Sequence, residues 1–381
     1  MNLNTYADDL DLLTKHTRIV QISDDQNARI AVAPAYQGRV MTSTLDGGAG
    51  ASFGWINRSF IENNRQDLAF NNYGGEDRFW LGPEAGQFGL WFKKGEPFDL
   101  THWKTPKEFN TGKFRVTSQG KRSVAMAAIM KVRNYSGTEF SCAVRRVIRA
   151  LSRERVVELL GSPISTDVKM VAFESSNMLA NVGEEDWNPD TGLLSIWIIG
   201  QFRPLPTGKV IVPFNPGSGT ELGPRATTDY FGPVGPDRCQ VKDDHLLFAC
   251  DGRHRAKSGI SPMRSKSVLG SYDPQQNLLT IVHFNLPGGA SRLPYVNSLW
   301  KIQDQPYAGD VVNTYNDGEE TPGAGQLGPF YEIETSSPAA RLSVGGDMVH
   351  VHRTMHFQGT RQSLRDIALR VLGVDLAEVS K

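Results

Sequence analysis

What constrains this chain most is a hydrophobic alternation of period two that returns in short runs from Thr17 to Phe357 and never settles into a strand–helix–strand rhythm. Alternation of that period sends successive side chains to opposite faces of a strand. Residues 18–22, 28–33, 37–44, 113–117, 123–133, 139–150 and 155–160 read this way, as do 170–183, 192–202, 277–286, 310–318 and 346–357. The chain's 38 Gly and 21 Pro are spread along its length, as many short strands joined by turns require. Roughly twenty such strands without βαβ units point to an all-β fold, a large antiparallel β-sandwich with short terminal helices. Residues 5–13 place acids ahead of leucines at helical spacing, and 363–372 read as a helix capped by Ser363 and stopped at Gly373. No break in composition divides the chain. The expectation is a single domain over 1–381, with an N-terminal helix in 1–16, the sandwich in 17–360 and a C-terminal helix in 361–381.

Charge narrows the partners. Lys plus Arg and Asp plus Glu both number 41, so no net field favours nucleic acid or an anionic membrane, and neither is an expected partner. No apolar run reaches the ~18 residues of a membrane span, and residues 1–16 lack the basic-then-apolar layout of a leader. The sequence assigns no compartment and no oligomeric state. Cys142, Cys239 and Cys250 form no C-x-x-C pair and read as buried thiols. No glycine-rich loop joins a strand to a helix, and Ser175 and Ser176 lack a nucleophile elbow. Neither a nucleotide cofactor nor serine hydrolysis is therefore expected, and no cofactor is assigned.

Two stretches carry chemistry. If residues 76–80 are extended, Glu76, Arg78 and Trp80 share a face. A carboxylate and a guanidinium can bond paired hydroxyls while an indole covers the C–H face of a sugar ring. The same three residues also suit a structural ion pair beside a core tryptophan. In residues 330–341 (FYEIETSSPAAR), Glu332 and Glu334 share one face and Tyr331 and Ile333 the other, before a Ser-Ser-Pro corner. Same-face acids either meet solvent or serve as a base or ligand; enclosed together, they raise at least one pKa. They would lie roughly 7 Å apart, a spacing found in glycosidases, whose acids ordinarily face each other from different strands. His350, His352, Thr354 and His356 share a face of residues 346–357. His350-x-His352 has a zinc-compatible spacing, but only two ligands are evident and no metal is assigned. His283 lies opposite Val282 and Phe284, and residues 203–238, rich in Gly and Pro, read as a rim or lid.

In this order the segments resemble the galactose mutarotase-like (aldose 1-epimerase) superfamily. Residues 281–288, ending in Pro287-Gly288, resemble one of its strands. Residues 333–339 resemble its Leu-Glu-Thr-Gln segment, and 345–354 its strand ending in Thr. Residues 37–40 and 179–183 match more weakly, so the resemblance covers most of 17–360; GGEDRFWLGPE marks a still closer likeness to a bacterial branch. The resemblance implies a supersandwich with a sugar-binding cleft on one sheet and a sugar or sugar derivative as partner. It also implies Glu334 as the general base that deprotonates the anomeric hydroxyl while a histidine protonates the ring oxygen. The family's acid position holds Asn177, which has no proton to give, so His283, His350 or another histidine on a neighbouring strand is the expected substitute. Arg78 corresponds to the family's sugar-binding arginine; Glu76, Trp80, Asn177, Asn181, Glu332, His350 and His352 complete the expected substrate-binding set. The expected function is that of a carbohydrate-binding protein acting as an epimerase-like isomerase. The alternatives are a non-catalytic sugar-binding module, or a glycan lyase or hydrolase on the same fold.

Overall fold

The computed structural model describes residues 4–24, 27–320, 323 and 325–379. The alternating runs form three antiparallel sheets. The largest has ten strands, centred on Leu278–Phe284, Asp347–Gln358, Lys169–Asn181 and Glu139–Ala150. A five-stranded sheet runs in the order Ala256–Ile260, Val312–Asn316, Tyr331–Ser336, Ser195–Phe202, Arg78–Gly82. A three-stranded sheet, Val20–Ile22, Arg29–Ala33 and Arg39–Thr44, completes the set.

Alternation decides what packs where. Phe79, Ile198, Tyr331 and Ile333 on the five-stranded sheet join core clusters with Val144, Leu179, Val282 and Phe284 of the ten-stranded one. Each such side chain contributes roughly 1.5–3 kcal/mol when fully buried. The outer face of the ten-stranded sheet is apolar as well: Leu279, Ile281, Met355 and Phe357 pack on the helices Arg153–Leu160 and Arg361–Val371. No helix among the described residues is long and apolar enough to cross a membrane.

Residues 155–160, expected as a strand, belong instead to the helix Arg153–Leu160. The Ser152 side chain accepts from the Arg155 N–H and Gly161 closes the end at φ +58°. The paired valines suggested a strand, but only Val156 is buried, and a good cap with a one-sided apolar contact outweighs a small β preference. The C-terminal helix begins at Arg361, one turn earlier than expected, with Thr360 as its cap. Gly373 follows it at φ +73°. Cys142, Cys239 and Cys250 are buried free thiols.

The interior also holds polar groups. His350, His352, Thr354 and His356 share the inward face of the Asp347–Gln358 strand and are buried. Thr335, from the facing sheet, hydrogen-bonds His350 Nε2 at 2.8 Å and His352 Nδ1 at 2.9 Å. Beside them Arg146 pairs with Asp77 and donates to Asn177 Oδ1 at 2.6 Å. His356 Nε2 meets Glu76 at 3.0 Å.

Candidate functional site

The other face of the five-stranded sheet is polar. Trp80 pairs with Trp197, Gln201 with Glu332, and Tyr315 with both Glu332 and Lys257. Directly opposed residues share a face, so Arg78, Trp80, Trp197, Gln201, Glu332, Glu334, Tyr315 and Lys257 all point away from the core. Walls rise from the connecting segments. Glu84, Leu100 and Trp103 come from one and Trp300 from another. Gln87 and Gln303 tie these two segments together, the Gln87 amide donating to the Gln303 carbonyl at 2.8 Å and accepting its N–H at 3.0 Å. Phe231, in the segment expected as a rim, joins Phe70, Leu327 and Phe330 to close the enclosure. The cavity opens to solvent, and about 630 Å³ of space not occupied by atoms, open solvent at the mouth included, lies within its walls.

Two ion pairs lie at its base; Arg78, Glu332 and Lys257 line the cavity, while Glu334 is buried and outside the lining. Glu332 Oε1 accepts from Arg78 Nη2 at 3.2 Å and Gln201 Nε2 at 2.9 Å. Glu334 Oε2 accepts from Trp197 Nε1 and from Lys257 Nζ, each at 2.9 Å. The Arg78 guanidinium lies 3.8 Å from the Trp80 ring centroid, and the Lys257 ammonium 5.0 Å from that of Trp197. Both are attracted by the negative ring faces. Burial dominates the titration of the site. It pushes Glu332 up to about 7, against Arg78 and with help from Glu334. It also raises Glu84 and pulls Arg78 below its usual range. At Lys257 burial is the largest influence and opposes the charge, yet the carboxylates of Glu334 and Glu84 outweigh it and the pKa is raised. Beside Lys257, the Tyr230 hydroxyl donates to Asp310 at 2.5 Å, and burial pushes Asp310 up to about 6.

Several buried polar atoms here have no hydrogen-bond partner among the described residues: Arg78 Nε and Nη1, Trp80 Nε1, Gln201 Oε1 and Glu334 Oε1. Each such atom costs roughly 1–3 kcal/mol. Three of these residues, Arg78, Trp80 and Gln201, also line the cavity.

Of the expected residues, Arg78, Trp80 and Glu332 are brought together in the cavity lining, and Glu334 lies on the same face of the sheet, paired with Lys257. Six other expected residues are not. Glu76 accepts from the Ser43 backbone N–H and, at 2.9 Å, from the Ser43 hydroxyl, inside the fold. The strand starts only at Arg78, and Gly75 turns the chain at φ +112°, where a side chain would strike Arg39. Asn177 donates to the His350 carbonyl at 3.2 Å, and Asn181 ties down a strand end through the Glu185 carbonyl at 2.8 Å. His350 and His352 meet Thr335, the neighbour of Glu334, so the sheet itself separates them from the cavity. His283 contacts Arg353 at 3.0 Å on the outer side of the ten-stranded sheet, whose inner side carries Val282 and Phe284. The expected pairing of Glu334 with a histidine acid is thereby corrected. Burial also lowers these imidazoles, to about 4 for His283, 3 for His350 and 4 for His352, leaving them without the proton an acid needs at neutral pH. No group of three or more metal-ligating His, Cys, Asp or Glu side chains converges among the described residues.

Sequence reading missed Lys257, Trp197, Gln201, Glu84 and Trp103. Trp197 and Gln201 had a signal: they share a face within an otherwise apolar run. Lys257 had none, because an isolated lysine in a short strand reads as a solvated edge.

Solved structures of similar fold include a candidate aldose 1-epimerase from Escherichia coli, with a TM-score of 0.53 and 11% identity over 90% of this chain and 99% of that one. A protein from Synechocystis gives 0.53 and 12% over 89% and 96%, and a galactose mutarotase-like protein from Lactobacillus casei 0.50 and 9% over 90% and 100%. At such identities the likeness establishes the fold alone, which is galactose mutarotase-like. No curated protein matches the chain. Residues 4–381 match a single sequence family end to end, and the chain belongs to that family, the family of unknown function DUF6786.

Proposed function

We propose that this protein binds a sugar or sugar derivative in the aromatic cavity and interconverts its anomers with Glu334 as general base. The observation that carries the reading is the set of unpartnered donors and acceptors beneath a ring of indoles. An apolar ligand would leave Arg78, Trp80 and Gln201 unsatisfied. A polyhydroxylated ring supplies hydroxyls to the floor and C–H faces to Trp80, Trp103, Trp197 and Trp300. The two floor ion pairs leave little net charge, which favours an uncharged sugar. The names of the E. coli and L. casei neighbours agree with this class of ligand, as does the position of Glu334 in the sequence resemblance.

Binding without turnover is the second reading. It is favoured by the enclosure of Glu334, whose side chain is 1% exposed beneath Trp197 and Lys257. Saturation-transfer NMR with a panel of free aldoses tests the first step: binding is expected, and weaker binding after Trp80→Phe, which removes the indole N–H and part of the stacking surface. If no aldose binds the wild-type protein, the cavity reading falls. Polarimetry on a bound aldose then separates an epimerase, which speeds the approach to anomeric equilibrium, from a binding module, which does not.

A further inference from the structure

We infer that Lys257, not a histidine, is the proton donor of this site, and that it works with Glu334 as one bifunctional pair on the two oxygens of an aldose's anomeric carbon. The inference rests on the reading that an aldose binds in the cavity.

Anomer interconversion needs a proton taken from the anomeric hydroxyl and another given to the ring oxygen. Both oxygens are bonded to the same carbon, so a base and an acid already in contact can reach both at once. Lys257 Nζ is 2.9 Å from Glu334 Oε2. An ammonium has three N–H donors, and among the described residues Lys257 hydrogen-bonds Glu334 alone. Glu334 Oε1 accepts from no described residue, while Trp197 holds the other oxygen in place. The pair thus joins an unpartnered acceptor, buried with the rest of Glu334, to the unused donors of Lys257, which lines the cavity.

Three kinds of group near the pair do not fit the role. Glu332 lies two residues along the strand, roughly 7 Å away, and its Oε1 is occupied by Arg78 and Gln201. The Tyr230 hydroxyl is directed to Asp310. An arginine does not release its proton in this pH range.

The step balances without any other reactant. Glu334 Oε1 takes the anomeric hydroxyl proton, and that O–H electron pair becomes the second bond of the aldehyde. The bond between the anomeric carbon and the ring oxygen breaks; its electron pair stays on the ring oxygen, which takes a proton from Lys257. An open-chain aldehyde, a protonated Glu334 and a neutral Lys257 result. After rotation about the adjacent carbon–carbon bond, the hydroxyl adds to the opposite face of the aldehyde. Lys257 recovers its proton and Glu334 returns its own to the anomeric oxygen.

Lys257→Arg keeps a positive charge beside Glu334 but withholds the proton. The expected result is retained sugar binding, with anomer exchange by magnetisation-transfer NMR slowed on the order of 10²-fold or more. Wild-type turnover in Lys257→Arg would reduce Lys257 to a counter-ion and overturn the proposal. Should the variant fail to fold, the wild-type protein decides through its rate in mixtures of light and heavy water. Two protons moving together give a bowed dependence on deuterium fraction, and a straight line overturns the pair. A wild-type protein that binds an aldose but does not exchange its anomers overturns this proposal and leaves the binding reading intact. One that binds no aldose overturns both.

Discussion

The two faces of the Tyr331–Ser336 strand make an instructive comparison. Both are buried, but the inward face packs Tyr331 and Ile333 into the core and is polar at Thr335, whereas the outward face carries Glu332 and Glu334. On the inward face Thr335 bridges His350 and His352, and nearby Arg146 is bonded through Nε, Nη1 and Nη2 to the Gly38 carbonyl, Asn177 and Asp77. On the outward face Glu332 and Glu334 are each bonded through one oxygen, among neighbours that include unpartnered donors and acceptors. A buried polar group that has its partners specifies a fold. One that lacks them, at a cavity wall, specifies a ligand. Residue type does not distinguish the two situations, since carboxylates and guanidinium groups occur on both sides.

The sharpest way to break this comparison is to unpair the interior. Arg146→Met leaves Asp77 buried without its cation and is expected to cost roughly 3–5 kcal/mol of stability, measured by urea unfolding. A variant as stable as wild type would mean that the interior network is not structural. On the cavity side, Glu334→Gln keeps the size of the side chain and an acceptor for Trp197. Anomer exchange should fall by roughly 10²–10⁴-fold, with a smaller change in unfolding midpoint than Arg146→Met produces. Thr335→Val is next in size. It removes the hydroxyl shared by two histidines, at an expected cost of about 1–3 kcal/mol, and should leave sugar affinity unchanged because its side chain points away from the cavity. Altered affinity would show that the two faces are coupled through the strand.

The smallest effect is a pair of opposed slopes with pH, each at most about 1.4 kcal/mol per pH unit for one proton. Glu332 goes from 4.5 to about 7 on folding, so between those values the folded state holds the extra proton and stability falls as pH rises. His350 and His352 go from 6.5 to about 3 and 4. There the unfolded state binds the extra protons, and stability falls as pH drops below 6.5. Urea unfolding at several pH values should therefore give Glu332→Gln a steeper acid-side loss than wild type, since the opposing slope has been removed. Parallel profiles would place the Glu332 carboxyl in an ordinary aqueous environment.

Much of the architecture was legible in residue order. Period-two alternation placed Glu332 with Glu334, Arg78 with Trp80 and the histidines of 346–357 on common faces, as the fold has them, but it also put Glu76 with Arg78 and Trp80, and Glu76 turns into the interior instead. The helix Arg153–Leu160 was not read, because its valines favour a strand locally and the one-sided apolar contact that decides the matter is tertiary, although its cap Ser152 is adjacent in sequence. Nor was the placing of the histidines. Alternation says that His350 and His352 point the same way, but not whether that way is the core or the cavity.

The sequence by itself determined the strand periodicity, the absence of net charge and the sharing of faces, because these depend only on neighbours along the chain. Tertiary structure alone decided which face closes on the other sheet and which becomes the cavity. It also brought Lys257, 77 residues before Glu334, within hydrogen-bonding distance of it. The reason is physical: pairing across strands joins residues far apart in the chain, and whether a charge is a structural bond or a waiting site depends on which partners that pairing supplies.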